Sequence, residues 1–396
     1  MPQPAANFLI ADLRDIARER YRKAPVLSEM RYQPQVAQEL SRRPKGAATI
    51  HDVARHAGVS SMTVSRVING EKSVRPTTKR VVDEAIRALN FAPNPAARTL
   101  AGGNILRLGL LCSIPNAAYL SEFLVGALDK CSQINAQLIV KRYMPGDSIE
   151  AAADMMIEAR LDGAILPPPV GDAPLLAERL HAAGTPVIAT GSIRPATHLP
   201  SIGIDDFAAA RAMTAHLVRL GHRRIGFITG RPDHASTGLR LAGYRAAMEE
   251  ADLPASDELI ASGTFTYHSG LDAAEQLLSS DPMPTAIFAS NDDMAAAAVA
   301  VAHRRGLDVP ADLSVCGFDD TPMATTIWPE LTTIRQPVSV MSEEAITMLI
   351  DLIRARREGE VEEPHRTLAF ELIRRQSDAA PKLRPPVIVA DAVGGS

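Results

Sequence analysis

The sequence contains few cysteines and aromatic residues, and it lacks a long apolar run. Cys112, Cys131 and Cys316 are widely spaced within apolar segments, a pattern that indicates neither a disulfide framework nor a metal site. No apolar stretch approaches the roughly 18–20 residues that a membrane-spanning helix needs. The short apolar run at 8–10 is interrupted at once by charged residues, unlike a secretory signal. We therefore expect a cytoplasmic protein with reduced thiols and no membrane contact.

The net charge of −4 conceals an uneven distribution along the 396 residues. Residues 43–103 contain ten Lys or Arg against four Asp or Glu, a local charge of +6, so the rest of the chain carries −10. A chain of this length predicts two or three domains. A basic module joined to an acidic body indicates a polyanion-binding head, although a basic segment can also be a solvated surface.

The segment 49–70 has the pattern of two short helices joined by a tight turn. Apolar residues recur at helical spacing behind Thr49, which can cap a helix start. Gly58 ends this helix because glycine reaches positive φ without steric cost, and Ser60 can cap the next one. Pro76 then begins a third helix. Two short helices with a glycine-containing turn form a helix-turn-helix.

The second helix is expected to lie in the major groove of DNA with its N-terminal residues over the base edges. The candidate base readers are the side chains that face away from its apolar stripe: Ser61, Met62 and Arg66. A guanidinium can bind a guanine by two hydrogen bonds. The short polar side chains suit phosphate contacts, which position a domain without reading sequence: Thr49, Thr63, Ser65, Asn69 and Thr78. The alternative is a generic three-helix segment with solvated polar residues.

The headpiece motif DVARHAGVSSMTVSRVING and the following 90-NFAPNPAARTL-100 resemble the lactose-repressor (LacI/GalR) family of bacterial regulators. The resemblance extends from Thr49 to about Ser377. It implies that residues 93–104 contain a hinge helix that forms on operator DNA. It also implies that Leu100 opens a central minor-groove step, with Ala97 and Arg98 in the same short helix. Taken alone, 93–103 is a Pro/Gly linker.

From Arg107 onward, strand-like apolar runs alternate with helical stretches, which predicts parallel sheets with helices on both faces. The resemblance implies a two-lobed, periplasmic-binding-protein-like (type I) fold. We expect lobe one near 105–203 plus 322–334, and lobe two near 204–318 plus 337–377. The predicted fold class is thus a small all-α helix-turn-helix headpiece plus an α/β two-lobed sensor domain.

The predicted domains follow from these motifs. They are an extension at 1–46, a helix-turn-helix domain at 47–92, a hinge helix and linker at 93–104, an effector-binding and dimerisation domain at 105–377, and a flexible tail at 378–396. The extension departs from the family, whose headpiece begins almost at the N-terminus. We interpret it as a misassigned translation start or a disordered leader.

Ligands of open α/β sheets bind beyond the C-terminal ends of the strands. Polar and aromatic residues that follow the predicted strands are therefore the candidate effector contacts: Asn116, Tyr119, Ser192, Ser236, Arg240, Phe265, Asn291 and Asp319. Carboxylate, amide and guanidinium groups suit a hydroxyl-rich ligand, and an aromatic face suits its C–H surface. The resemblance places Arg240, Asn291 and Asp319 at family ligand contacts. Structural alternatives are a helix cap for Asp292 or Asp293 and a loop contact for Asp320; Trp328 could line the cleft or pack the lobes.

These features predict a sequence-specific repressor of carbohydrate-utilisation genes. A homodimer would bind a pseudo-palindromic operator, and a sugar between the lobes would control its affinity. The tail has no leucine heptads, so we expect no tail-made tetramer. A nucleoside or purine effector is the alternative, and a solute-binding receptor is a more distant one. We expect no enzyme, cofactor or metal, because the adjacent carboxylates at 292–293 and 319–320 accompany no HExxH, GxSxG or P-loop motif.

Overall fold

The computed structural model describes residues 48–68, 74–89, 91, 105–113, 117–143, 146–192, 199–358 and 364–382. The chain divides into two compact units, Met1–Asn104 and Ile105–Ser396. The predicted extension at 1–46 and the predicted hinge residues Ala97, Arg98 and Leu100 lie outside the described residues. No helix in the described ranges is long and apolar enough to cross a membrane.

The described part of the first unit contains the three predicted helices: α1 (Ile50–Ala57), α2 (Ser61–Ile68) and α3 (Pro76–Ala88). Thr49 caps α1 through a capping box, in which the backbone N–H of Asp52 donates to Oγ1 at 3.3 Å and that of Thr49 donates to the Asp52 carboxylate at 2.9 Å. Gly58 ends α1 at φ +65°, and its N–H donates to the carbonyl of Ala54. The predicted cap, turn and third helix are confirmed.

A small apolar core holds these helices together. Its fully buried members come from all three helices: Val53, Ala54, Val64, Val67, Val82 and Ala85. Burial of a valine side chain contributes about 1.5–3 kcal/mol, so a core of this size suffices only for a small unit. The inward faces of α1 and α2 are thereby committed to packing, and their polar faces remain at the surface.

The second unit is built of alternating strands and helices. The strands are β1 (Arg107–Cys112), β2 (Gln137–Arg142), β3 (Gly163–Leu166), β4 (Val187–Ser192), β5 (Ser201–Ile204), β6 (Ile225–Ile228), β7 (Ile260–Ala261), β8 (Ala286–Ala289), β9 (Ser314–Cys316), β10 (Thr333–Arg335), β11 (His365–Leu368) and β12 (Glu371–Ile373). The α-helices are α4 (Ala117–Gln133), α5 (Ile149–Glu158), α6 (Pro174–Ala182), α7 (Asp206–Leu220), α8 (Ala235–Glu250), α9 (Tyr267–Leu278), α10 (Asp292–Arg304), α11 (Met323–Thr326) and α12 (Val338–Glu358).

The strands form two parallel sheets, as predicted. One sheet has the order β11-β5-β4-β3-β1-β2 and the other has the order β7-β6-β8-β9. Every pairing within them is parallel. Central strands such as β3, β6 and β8 are buried along their whole length, because helices cover both faces of a parallel sheet.

The division of the chain between the lobes differs from the expected one. Helix α12 packs on α4 and β3, and β11 pairs with β5, so residues 338–358 and 364–368 belong to lobe one. Ala324 and Leu331 are buried in the core of lobe two, whereas the sequence placed 322–334 in lobe one. Two of the crossings are made by β10 and β12, which pair antiparallel with each other, and a third follows β5. A crossing of three residues gives no periodic signal, which explains the error.

The predicted tail begins too early. The Asp378 side chain is fully buried, accepts from Nε2 of His216 at 2.8 Å and also accepts from the hydroxyl of Thr332. The backbone N–H of Val315 donates to the carbonyl of Ser377 at 2.9 Å. Residues 378–382 therefore belong to lobe two, beside β9, and 383–396 lie outside the described residues.

Candidate functional site

The outward face of α2 carries the three candidate base readers. Val64 and Val67 are buried, whereas Met62 is 65% exposed, Arg66 is exposed and Ser61 is half-buried. The geometry agrees with the expectation that this face is available to the major groove. Base reading by these residues stays a prediction.

Two of the candidate phosphate contacts take part in helix caps. The hydroxyl of Thr49 donates to the Asp52 carboxylate at 2.7 Å. The hydroxyl of Thr63 lies 2.9 Å from that of Ser60, which accepts from the backbone N–H of Thr63 and so caps α2. Ser65 and Thr78 are half-buried on α2 and α3, and Asn69 lies outside the described residues.

Replacement of Arg66 by alanine should relax sequence specificity. The lost contact to a guanine would cost about 1–3 kcal/mol on the preferred operator, while binding to random DNA should weaken much less. Lys79, an exposed cation on α3, provides the matched control, since Lys79→Ala should weaken both alike through lost phosphate attraction. Fluorescence anisotropy with both DNAs measures the ratio; equal losses in Arg66→Ala would contradict base reading.

A cleft between the two lobes holds the predicted effector contacts. It encloses about 700 Å³, its open mouth included. Tyr119, Ser236, Arg240, Phe265 and Asp319 all line it, so the structure brings together five of the eight predicted residues. The cleft lies where strands of both sheets end, as expected for open α/β sheets.

Arg240 is the central charge of this cleft. Its Nε donates to Asp206 Oδ1 at 2.8 Å, and one terminal nitrogen donates to the carbonyl of Ser290 at 2.5 Å. The same nitrogen lies 3.9 Å from Asp319 Oδ1. The guanidinium carbon is 3.6 Å from the centroid of the Phe318 ring, a cation–π contact. One buried cation is thus held by two carboxylates.

Asp319 has an uncommon backbone conformation and a carboxyl group whose pKa is shifted. Its φ of +107° lies in the left-handed region, which for a residue other than glycine stores strain of about 1–3 kcal/mol. Gln336 donates to Asp319 Oδ1 at 2.7 Å. Burial raises the pKa of the Asp319 carboxyl to about 7, although nearby Arg240 acts to lower it. Around neutral pH this group exchanges a proton readily.

Phe265 forms an aromatic wall that its neighbours hold in place. Its φ is +63°, and the amide nitrogen of Asn291 donates to its carbonyl at 3.0 Å. The ring lies so close to Gly230 that an added Cβ there would be 2.0 Å from the ring. The ring of His234 meets that of Phe265 edge-on at 5.0 Å, and burial lowers the pKa of His234 to about 4, which keeps it neutral.

Asn291 does not have the predicted role in this structure. It is completely buried, is not among the cleft-lining residues, and accepts from the backbone N–H of Met294 as the N-cap of α10. The nitrogen of its side-chain amide donates to the carbonyl of Phe265, so Asn291 positions the aromatic wall of the cleft. Its place directly after a buried strand was compatible with either role, and only the tertiary structure separates them.

Several other predictions have different outcomes. Asn116 and the side chain of Ser192 lie outside the described residues. Trp328 neither lines the cleft nor packs the lobes, because it is 74% exposed. Asp320 holds a loop, as the alternative interpretation proposed, through ion pairs with Arg335 and Arg375 at 2.7 and 2.6 Å.

Ten of the fifteen lining residues escaped the sequence prediction, among them the polar side chains of Asp206, His234 and Gln336. Asp206 lies two residues after the short strand β5, and the strand-end rule would have found it had that strand been recognised. Gln336 lies between 334 and 337, where the sequence did place a crossing, but no predicted strand end marked it as a lining residue. His234 precedes α8 and gave no separate signal. Among the described residues, no group of three or more His, Cys, Asp or Glu could hold a metal ion.

The contact between Gly230 and Phe265 predicts a position-specific effect on stability. Gly230→Ala forces the ring to shift and should lower the free energy of unfolding by about 1–3 kcal/mol. Gly238 on α8 is the matched control, since a Cβ there meets nothing within 4 Å and alanine favours a helix by up to about 1 kcal/mol. Urea denaturation distinguishes them; an equal effect of the two changes would argue against a rigid aromatic wall.

The raised pKa of Asp319 predicts a pH-dependent stability. Between the unfolded value of about 3.9 and the folded value of about 7, the folded protein binds more protons from this group than the unfolded chain does. Its contribution to the free energy of unfolding therefore falls as pH rises through that window. Asp319→Asn removes this loss, so its stability relative to the parent should be higher at about pH 7.5 than at about pH 4.5. Thermal unfolding at both pH values measures it, and a pH-independent difference would be the contrary result.

Two family models match the chain. One, described as bacterial regulatory proteins of the lacI family, matches residues 49–94, and the other, a periplasmic binding protein-like domain, matches residues 214–377. These ranges cover the described helix-turn-helix and much of the two-lobed unit.

The chain is also similar over most of its length to proteins of known role. It is 36% identical over 322 residues to the HTH-type transcriptional repressor PurR of Serratia proteamaculans, covering 80% of this chain and 94% of that protein. It is 34% identical over 304 residues to catabolite control protein A of Priestia megaterium, covering 76% and 91% of the two chains.

Solved structures show the same architecture. A complex of the transcriptional regulator CelR with cellobiose matches with a TM-score of 0.63 and 32% identity, over 85% of this chain and all of that one. The lac repressor dimer bound to operator and the anti-inducer ONPF matches with a TM-score of 0.69 and 29% identity, over 84% and 99% of the two chains.

Proposed function

Since the chain belongs to the LacI family of bacterial transcriptional regulators, we propose that it represses carbohydrate-utilisation genes and that a neutral sugar in the cleft controls its affinity for operator DNA. The helix-turn-helix would contact the DNA, and the cleft would bind the ligand that changes the affinity for DNA. Relatives of this chain are regulators rather than enzymes.

The charge balance of the cleft carries the proposal of a neutral ligand. Arg240 is already paired with Asp206 and approached by Asp319, and His234 is uncharged because its pKa lies near 4. A phosphorylated or carboxylated ligand would therefore find no Lys or Arg among the lining residues that is not already paired with a carboxylate. Sugar hydroxyls can donate to Asp319, and a carboxylate accepts several such bonds.

The aromatic wall supports the same class of ligand. Phe265 contributes an aromatic ring to a lining that also contains Ser236 and Arg240, and sugars combine a C–H face with a hydroxyl edge. The CelR relative was solved with cellobiose, which lends support to a sugar in this fold. Operator binding in the lac repressor structure lends similar support to the DNA role.

A purine or nucleoside is the second candidate. Phe265, Tyr119 and Phe123 all line the cleft, and aromatic rings can stack on a planar base. Similarity to proteins named PurR is consistent with that ligand. We rank it second because carboxylates and serines line the same cleft.

An exposed apolar surface supports a homodimer. Val125 and Leu128, three residues apart on α4, are 56% and 54% exposed, and Val140 on β2 is 47% exposed. Helix α4 packs on β2, which is an edge strand of its sheet. Clustered exposed apolar residues mark association sites, and two headpieces on a symmetric body would require a pseudo-palindromic operator.

Operator selection followed by ligand titration tests this function. The full chain selects a sequence from random duplex DNA, and anisotropy then compares the intact site with a half-site. We expect the intact site to bind more tightly, and a neutral sugar from a panel including cellobiose and lactose to change its Kd by about 5- to 150-fold. Glucose 6-phosphate and hypoxanthine are the comparison ligands.

Each contrary result identifies a different error. A response only to hypoxanthine would favour the purine alternative, and a response to glucose 6-phosphate would refute the charge argument. Equal affinity for half-site and intact site would refute dimeric recognition. Asp319→Asn serves as the control variant, because it should abolish the sugar response while operator selection persists.

A further inference from the structure

Helix α8 lacks a cap from its own segment. His234 occupies the N-cap position but makes no side-chain cap hydrogen bond. The backbone N–H of Ala235, the first residue of α8, instead donates to Asp172 Oδ2 at 2.8 Å. Asp172 ends a short 3-10 helix (Val170–Asp172) that follows β3 in lobe one, whereas α8 belongs to lobe two. A carboxylate of one lobe therefore caps a helix of the other.

This contact lies beside the effector cleft. Pro167 and Pro168, a few residues before Asp172, line the cleft from lobe one, and His234 and Ser236, on either side of Ala235, line it from lobe two. Asp172 itself is half-buried and is not a lining residue. The same helix α8 carries Arg240. Whatever fixes the start of α8 against lobe one also fixes the width of the cleft.

We propose that Asp172 is a cross-lobe latch that holds the cleft closed by capping α8. The attraction has two sources: a charge-assisted hydrogen bond and the positive end of the helix dipole, which favours an anion. When the lobes separate, water can hydrogen-bond both to the Asp172 carboxylate and to the backbone N–H of Ala235. The latch therefore biases the closed form rather than locking it, as a ligand-responsive sensor requires.

The expected size of the bias follows from helix capping. Loss of a cap shifts an equilibrium by about tenfold, so Asp172→Ala should raise the ratio of open to closed sensor about tenfold. Effector affinity should fall in parallel as the closed fraction falls, without loss of a ligand contact. This second consequence rests on the proposed effector function, whereas the shift in lobe separation does not.

Distance measurement between spin labels in the ligand-free full chain tests the latch. Exposed positions on both lobes accept the labels, Glu178→Cys on α6 and Glu249→Cys on α8, and the native cysteines in the described residues are buried. Asp172→Ala should add a population at longer distance. Asp172→Asn, which keeps an acceptor oxygen but no charge, should give a smaller shift. Ser148→Ala is the matched control, because it removes the cap of α5 inside lobe one and should leave the distance unchanged.

A distance distribution equal to the parent's in either folded Asp172 variant would overturn the proposal, as would an equal shift in Ser148→Ala. Circular dichroism establishes folding, and if Asp172→Ala does not fold, Asp172→Asn decides. A parallel titration with cellobiose separates the two hypotheses. Failure of the parent to bind cellobiose or any other sugar of the panel would count against the sugar effector, while the distances still decide the latch. Binding by the parent with unchanged affinity in a folded, more open Asp172→Ala would overturn the link between closure and affinity.

Discussion

The pairing of Arg240 with its carboxylates is the constraint on which the sensor's central architecture depends. A buried guanidinium is tolerable only where charges and acceptors surround it, and removal of one partner of such a pair typically costs about 3–5 kcal/mol. Its partners come from separate parts of the chain: Asp206 at the start of α7, Ser290 after β8, and Asp319 on the approach to a crossing. One side chain thus fixes three segments that are far apart in sequence.

The segment that holds Asp319 is in turn tied into the core of lobe two. Asp292 is fully buried, and its carboxylate accepts from the backbone N–H of Thr321 at 2.7 Å and from the hydroxyl of Thr333 at 2.6 Å. Burial raises the pKa of Asp292 well above its usual value, and Asp319 raises it further. The two acids are therefore electrostatically coupled.

The stability of the headpiece depends on helix caps and turns as well as on its apolar core. Its core is small, so local devices have a larger share in its stability: the capping box of Thr49 and Asp52, the left-handed Gly58 and the cap at Ser60. Each lies within three residues of its partner or acts through one backbone angle. These devices also orient α2 so that Met62 and Arg66 face outward.

The contrast between these two parts explains what the sequence by itself determined. Residue spacing predicted where the headpiece helices start and stop and that the larger unit is a parallel α/β fold. Strand ends and motif resemblance identified three cleft residues: Arg240, Phe265 and Asp319. Each of these signals is carried by residues that are neighbours in the sequence. Only the tertiary structure decided which lobe receives α11, α12 and β11, that Asn291 caps a helix and holds Phe265, and that Asp172 reaches the start of α8. Those outcomes depend on contacts between segments tens of residues apart, and such contacts leave no periodic trace in the chain.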